Sequence, residues 1–158
     1  MPYSTEINKE TEVVAYGKEH PISPKKSYEL CNALRGLTVA EARKFLENVI
    51  SLKQPVKIRR YNQETAHKHP KMGPARFPVK PAKYILRTID NAVSNARYRW
   101  GEDAVDEEQL RIVHISAYRG SIEKGHMPRA HGRSTEWNEQ TTNVEIKLRR
   151  LEEKEEEL

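Results

Sequence analysis

Residues 109 to 148 hold two stretches of strand character separated by far more chain than a turn needs. Leu110, Ile112, Val113 and Ile115 lie on one side, and Val144, Ile146 and Leu148 on the other. The connection includes Lys124-Gly125-His126-Met127-Pro128-Arg129-Ala130-His131-Gly132-Arg133, which is polar, cationic and punctuated by Gly and Pro. At roughly 3.3 Å per residue, an extended arm from 109 to 126 would reach about 55 Å. A two-stranded ribbon of that reach is marginal alone in water. It must lie on something else, and its charge requires that surface to be anionic.

The charge is sorted along the chain. Between 57 and 87 the cations Lys57, Arg59, Arg60, Lys68, Lys71, Arg76, Lys80, Lys83 and Arg87 face one acid, Glu64, a net +8. From 119 to 133, Arg119, Lys124, Arg129 and Arg133 oppose Glu123 alone, a net +3. Acid gathers in Glu102, Asp103, Asp106, Glu107 and Glu108 and in the tail after Leu151. One face for a polyanion and another for water follow from that division. The whole chain carries +5, with a pI near 9.3 and a mean hydropathy of -0.88. This balance favours a large polyanionic partner over an enzyme's small substrate.

The 158 residues suffice for one domain. Its hydrophobic share of 36% implies a small core with a generous surface. The single cysteine, Cys31, forms no internal disulfide and excludes paired-cysteine zinc sites, which fits a reducing compartment. The sequence has neither a signal-peptide pattern nor a run approaching 18 apolar residues, so a cytoplasmic protein without a membrane partner is expected.

Local signals outline three helices and three strands. Val13, Val14 and Ala15 mark a strand over 11–16. Ser23-Pro24 starts a helix that Gly36 stops, with Leu30, Cys31 and Leu34 on one face. Thr38-Val39-Ala40-Glu41 reads as a capping box opening a second helix over about 39–51. Residues 54–80, with Pro55, Pro70, Gly73, Pro74 and Pro78, show no period and read as a basic irregular arm ordered by its partner. A third helix begins near Pro81, carries the stripe Ala82, Ile85, Leu86, Ile89, Ala92, Val93 and Ala96, and ends at Gly101. Val144, Ile146 and Leu148 alternate with Glu145, Lys147 and Arg149, the pattern of a half-solvated strand. Together these predict a single α/β (α+β) domain: a three-stranded antiparallel sheet packed against three helices. The globular body covers about 12–118 and 141–150, the extended hairpin end 119–140, and an acidic tail 151–158.

Candidate binding residues follow from charge and shape. At the hairpin end these are Arg119, Lys124, His126, Met127, Pro128, Arg129, His131, Gly132 and Arg133, where small residues admit a phosphate and arginine offers fork geometry or a planar face. In the basic arm Arg59, Arg60 and Tyr61 join two cations to an aromatic plane, suited to an unstacked base, with Lys68, Lys71, Arg76 and Lys80 alongside. Lys25, Lys26 and Arg35 on the first helix, and Arg43 and Lys44 on the second, read singly as solvated faces that extend the footprint. The competing readings are a free surface loop at the tip and an ordinary exposed turn at Arg60-Tyr61. His67 and His69, at i and i+2 without a nearby carboxylate or thiol, make a poor metal set. Cys31 lies on an apolar helix face and reads as a packed thiol. No nucleophile-elbow, phosphate-loop, zinc-protease or dinucleotide motif is present, and the acidic pair Asp103 and Asp106 falls in a solvated linker. No cofactor is implied.

Met127-Pro128-Arg129-Ala130-His131-Gly132-Arg133 resembles the M-P-R-A-[KH]-G-R signature of the large-subunit ribosomal protein twenty-two family, called seventeen in the older eukaryotic naming. Asp90-Asn91-Ala92-Val93-Ser94-Asn95-Ala96 resembles that family's N-A-x-[SA]-N-A helix, and Leu34-Arg35-Gly36 with Ala40 its R-G-x-x-x-x-x-A element. The likeness covers about residues 12 to 150. The segment from Arg59 to Pro78, absent from the shorter bacterial form, and the lack of a long basic C-terminal extension resemble the archaeal type.

The resemblance implies a structural constituent of the large ribosomal subunit. Its partners would be large-subunit rRNA, neighbouring ribosomal proteins and the nascent polypeptide. Its hairpin would line the exit tunnel, with Met127, Arg129, His131 and Arg133 at or near the tip. His131 stands where bacterial members often carry Lys, which makes the tip charge dependent on pH and surroundings. The alternatives are a free-standing RNA chaperone or regulator, and a small hydrolase or nuclease dependent on His126 and His131.

Overall fold

The computed structural model describes residues 3–8, 10–69, 71–101 and 105–151, His69 by its backbone alone. The sequence readings at Glu102, Asp103 and the tail beyond Leu151 lie outside these residues. The body is a three-stranded antiparallel sheet with helices packed on it. β1 (Glu12–His20) and β5 (Leu110–Glu123) flank β8 (Glu139–Arg150), in the order β1-β8-β5. α1 (Pro24–Leu34), α2 (Val39–Ile50) and α3 (Val79–Trp100) complete it. Among the described residues, no helix is long and apolar enough to cross a membrane.

The helices form where their caps and apolar spacing place them. Pro24 opens α1 with a preset φ, while Ser23 contributes its carbonyl to Ser27 rather than a side-chain cap. Gly36, at φ 85°, turns the chain away from α1, and its N–H bonds the carbonyl of Ile112 at 3.0 Å. The α2 capping box is complete: Glu41 N–H donates to the Thr38 hydroxyl at 3.3 Å, and Thr38 N–H to the Glu41 carboxylate at 3.0 Å. α3 starts two residues earlier than the sequence suggested, at Val79, with Pro81 inside its first turn. Its stripe Ala82, Ile85, Ile89, Ala92, Val93 and Ala96 meets Leu30, Leu34, Leu46, Ile112, Ile115, Ile146 and Leu148 in one core.

The sheet corrects two sequence readings. β1 runs to His20 rather than Tyr16, pairing Gly17 with Val144 and His20 with Thr142 across a bulge. The outward face of β8 is covered over much of its length: Glu145 and Lys147 are buried, together with Glu12 on β1, while Arg149 stays exposed. The N-terminal segment lies over them. Ser4 donates to Glu145 through its N–H at 3.3 Å and through its hydroxyl, and Lys147 Nζ donates to the Glu6 carbonyl at 2.9 Å. Glu12 takes Lys147 at 3.1 Å and Arg149 at 2.5 Å. Burial works against its charge, but the Asn8 N–H, the Arg149 guanidinium and the Lys147 ammonium prevail and hold its carboxyl at a pKa of about 2.

Residues 54–80 are not irregular throughout. β2 (Val56–Lys57), β4 (Gly73–Arg76) and β3 (His67–His69) form a small sheet in the order β2-β4-β3. Val56, Ile58 and Ala75 are buried, and Val56 belongs to the main core. Three apolar side chains thus fasten a segment whose prolines and glycine hide any strand period.

The hairpin is continuous beyond the body. β5 and β8 stay paired as far as Glu123 opposite Glu139, with a second bulge between Arg119 and Ile122. After an interruption at Lys124 and Asn138, Gly125 and Trp137 exchange both backbone hydrogen bonds, at 3.1 and 2.7 Å. β6 (His126–Pro128) and β7 (Ser134–Glu136) carry the ladder on. The tip closes through Arg129 N–H to the Arg133 carbonyl at 2.8 Å around a single 3-10 turn, Ala130–Gly132.

Candidate nucleic-acid interface

The hairpin end has no core of its own. Between Ser121 and Glu139, Gly125 and Met127 are half-buried and every other residue is exposed. Trp137 and Ile122 keep 53% and 54% of their surface open to water. Met127 and Trp137, whose apolar character spoke against a free loop in the sequence, find no layer among the described residues that buries them fully.

Geometry nevertheless defines the tip. His131, at φ 58° and ψ 36°, and Gly132, at φ 64°, stand in succession in the left-handed region and reverse the chain within five residues. Arg129 Nε donates to the Thr135 hydroxyl at 3.1 Å, and Arg133, His126, Pro128 and Lys124 project from the exposed ladder. A Cβ on Gly125 would meet the Trp137 carbonyl at 2.7 Å, so the close strand approach there needs glycine.

A second group forms at the hairpin's root. Lys25 and Lys26 from α1, Arg60 and Tyr61 from the turn after β2, and Arg76 from β4 line one cavity of about 240 Å³. Lys25, Arg60 and Tyr61 also line an adjoining cavity of about 250 Å³ with Tyr28, Tyr118 and Arg119. Lys25 Nζ sits 4.4 Å from the Tyr61 ring centre, and the Arg60 guanidinium 4.6 Å from that of Tyr28. A buried carboxylate sets this turn: Glu29 Oε1 accepts the N–H groups of Arg59 and Arg60, at 2.9 and 2.7 Å. Tyr61 follows at φ 54°, strained backbone that those bonds hold in place.

Six of the sequence's candidates therefore converge: Lys25, Lys26, Arg60, Tyr61, Arg76 and Arg119. Lys68 and Lys71 are exposed on the small sheet and its turn. Lys80 stands apart, in a cleft of about 550 Å³ beside Glu19, Glu123 and Glu139. Arg43 is not a solvated cation, since it pairs with Asp90 at 2.8 Å and Glu107 at 3.2 Å; Glu107, read as linker acid, is likewise part of the body. Arg35 donates to the Ile115 carbonyl at 3.3 Å. Sequence reading missed Tyr28, Glu29 and Tyr118. The Tyr118-Arg119 step repeats the aromatic–cation pair of Arg60-Tyr61 and could have drawn notice; Glu29 gave no signal, because its partners lie thirty residues away.

Two other groupings among the described residues, at Cys31 and at Ser4, His114 and Glu145, lack the geometry of a reaction centre. Burial pushes the Cys31 thiol up to about 12, leaving it a packing group. Ser4, His114 and Glu145 cluster, with His114 Nε2 at 2.8 Å from Glu145 and 3.2 Å from the Ser4 hydroxyl. One ring nitrogen faces both neighbours, whereas a relay needs the base and its orienting acid on opposite nitrogens. Among the described residues, no group of three or more His, Cys, Asp or Glu could hold a metal ion.

The fold is that of a small α+β protein with an exposed projecting hairpin and a cluster of cations at its root. The chain belongs to the ribosomal protein L22p/L17e family, whose profile matches residues 15–149. Similar proteins include the large ribosomal subunit protein uL22 of Methanococcoides burtonii, 41% identical over 92% of this chain and 94% of its own length. The uL22 proteins of Methanothrix thermoacetophila and Methanocaldococcus jannaschii are 43% and 39% identical, over 85% and 94% of this chain and 87% and 94% of their own lengths. These relatives are archaeal, the type that the Arg59–Pro78 segment resembles.

Proposed function

We propose that this chain is a structural constituent of the large ribosomal subunit that binds and organises large-subunit rRNA, its hairpin lining the nascent-polypeptide exit tunnel. Family membership supports the place in the large subunit. The observation that carries the RNA reading is the hairpin end, whose cations and apolar side chains project from a ladder with no layer beneath it. Such a ribbon gains its order from an external surface, and phosphate is the surface that fits its tip, where Lys124, Arg129 and Arg133 meet no acid between 124 and 133. Contacts to backbone and shape outnumber base reading in this kind of recognition. Lys25, Lys26, Arg60, Arg76 and Arg119 hold RNA at the root, while Lys124, His126, Arg129, His131 and Arg133 hold it along the arm. Arg59, Lys68, Lys71 and Lys80 widen the footprint, and Met127, Pro128 and Gly132 shape the tip. The tunnel position rests on the tip motif Met127 to Arg133. Neighbouring ribosomal proteins and the nascent chain are the remaining partners, in the cytoplasm where ribosomes work.

Hydrogen exchange tests this reading. Amides of 121–139 should exchange rapidly in the isolated chain and become protected on binding large-subunit rRNA. Protection already complete in the free protein, or unchanged by RNA, would overturn it.

A further inference from the structure

The root of the hairpin carries a feature that phosphate neutralisation alone does not require. Three tyrosines, Tyr28, Tyr61 and Tyr118, share one half-open cavity of about 250 Å³ with Lys25, Arg60 and Arg119, and no carboxylate lines it. A purely electrostatic surface gains little from aromatic planes, whereas a nucleobase has a π-face for each. Lys25 covers one face of Tyr61, yet the residue keeps 70% of its surface open, so its other face remains available. Arg60 likewise covers Tyr28. Each cation thereby sits beside an aromatic plane, where it can reach the phosphate of a base stacked there. Glu29 fixes the backbone that presents Arg60 and Tyr61, which lowers the ordering cost of binding. The elements come from α1, the turn after β2 and β5, so the body holds the cup before RNA arrives.

We propose that this cup receives a single everted nucleotide, its base stacked on the free face of Tyr61 beside Tyr118 and its phosphates held by Lys25, Arg60 and Arg119. The inference rests on the RNA-binding reading above and adds to it one unpaired base at a fixed place. With one base as its occupant, the cup selects a bulge or a flipped residue over continuous duplex.

The test uses the full chain with two probes: an RNA duplex carrying one bulged 2-aminopurine, and the same duplex fully paired. Stacking on tyrosine should quench the 2-aminopurine fluorescence, and the bulged RNA should bind on the order of tenfold more tightly than the paired one. Tyr61→Ala should abolish both the quench and the preference. Tyr61→Phe, which keeps the ring, should restore them. Circular dichroism of each variant monitors the fold. Equal affinity of the wild-type chain for both probes, or a bulge preference that survives Tyr61→Ala, overturns the cup and leaves general RNA binding standing. Binding to neither probe, nor to large-subunit rRNA, overturns both.

Discussion

Individual residues settle how this protein divides its work between stability and binding. Glu12 contributes only to the former. Its carboxyl titrates near 2 in the folded protein, below its ordinary value of 4.5, so its stabilisation is present above about pH 4.5 and is lost as pH falls toward 2. Glu12→Gln should cost about 3 kcal/mol at pH 7 by stranding buried Lys147, and the gap to wild type should narrow through that acid window; urea titrations at pH 7, 4 and 3 would show it. Gly125 contributes to the arm alone. Gly125→Ala drives a methyl against the Trp137 carbonyl where no side chain can yield. Exchange protection of 126–136 in the RNA complex should fall, while the melting temperature of the body, which no residue there helps bury, should move by less than about 2 °C.

At the scale of elements, legibility followed the range of the interactions. The α2 capping box and the α3 stripe were readable because their partners lie within a few residues. The far half of β1 was not, since Gly17, Lys18 and Glu19 look like turn residues until β8 takes Gly17 opposite Val144 and His20 opposite Thr142, with Lys18 and Glu19 in the bulge between. The strand holds glycine at 17 because a Cβ there would strike the His20 ring and the Thr88 hydroxyl. The small sheet of 56–76 hid behind prolines, and the buried state of Glu145 and Lys147 depended on an N-terminal segment some 140 residues distant. Of the interface, cation positions were plain in the sequence, but their convergence at the hairpin's root required the fold. The same element logic makes the arm separable. Replacing 121–139 with a short Gly-Ser turn should leave thermal unfolding of the body within a few degrees of the full chain and weaken rRNA binding at least tenfold. By contrast, Ile146→Ala in central β8 should cost about 2–4 kcal/mol in denaturant titration.

For the whole molecule, the sorting of charge predicts a strongly salt-dependent RNA affinity. Removing Lys25, Arg60 and Arg119 together should lower the slope of log affinity against log salt by about 2–3, measured by filter binding over a salt series. Arg43→Ala should leave that slope unchanged, because its charge is spent on Asp90 and Glu107.

The strand order carries a consequence for synthesis. β8 joins β1 to β5, yet it follows both in the chain, so neither has its sheet neighbour when first translated. Two earlier strands and three helices must wait, with their apolar faces uncovered, until residues 139–150 leave the ribosome that makes them. A message cut short before that point yields a polypeptide with no finished sheet to fold around. Completion of the body and completion of the projecting ribbon are therefore a single event, and an unfinished copy carries its cations without the sheet that presents them.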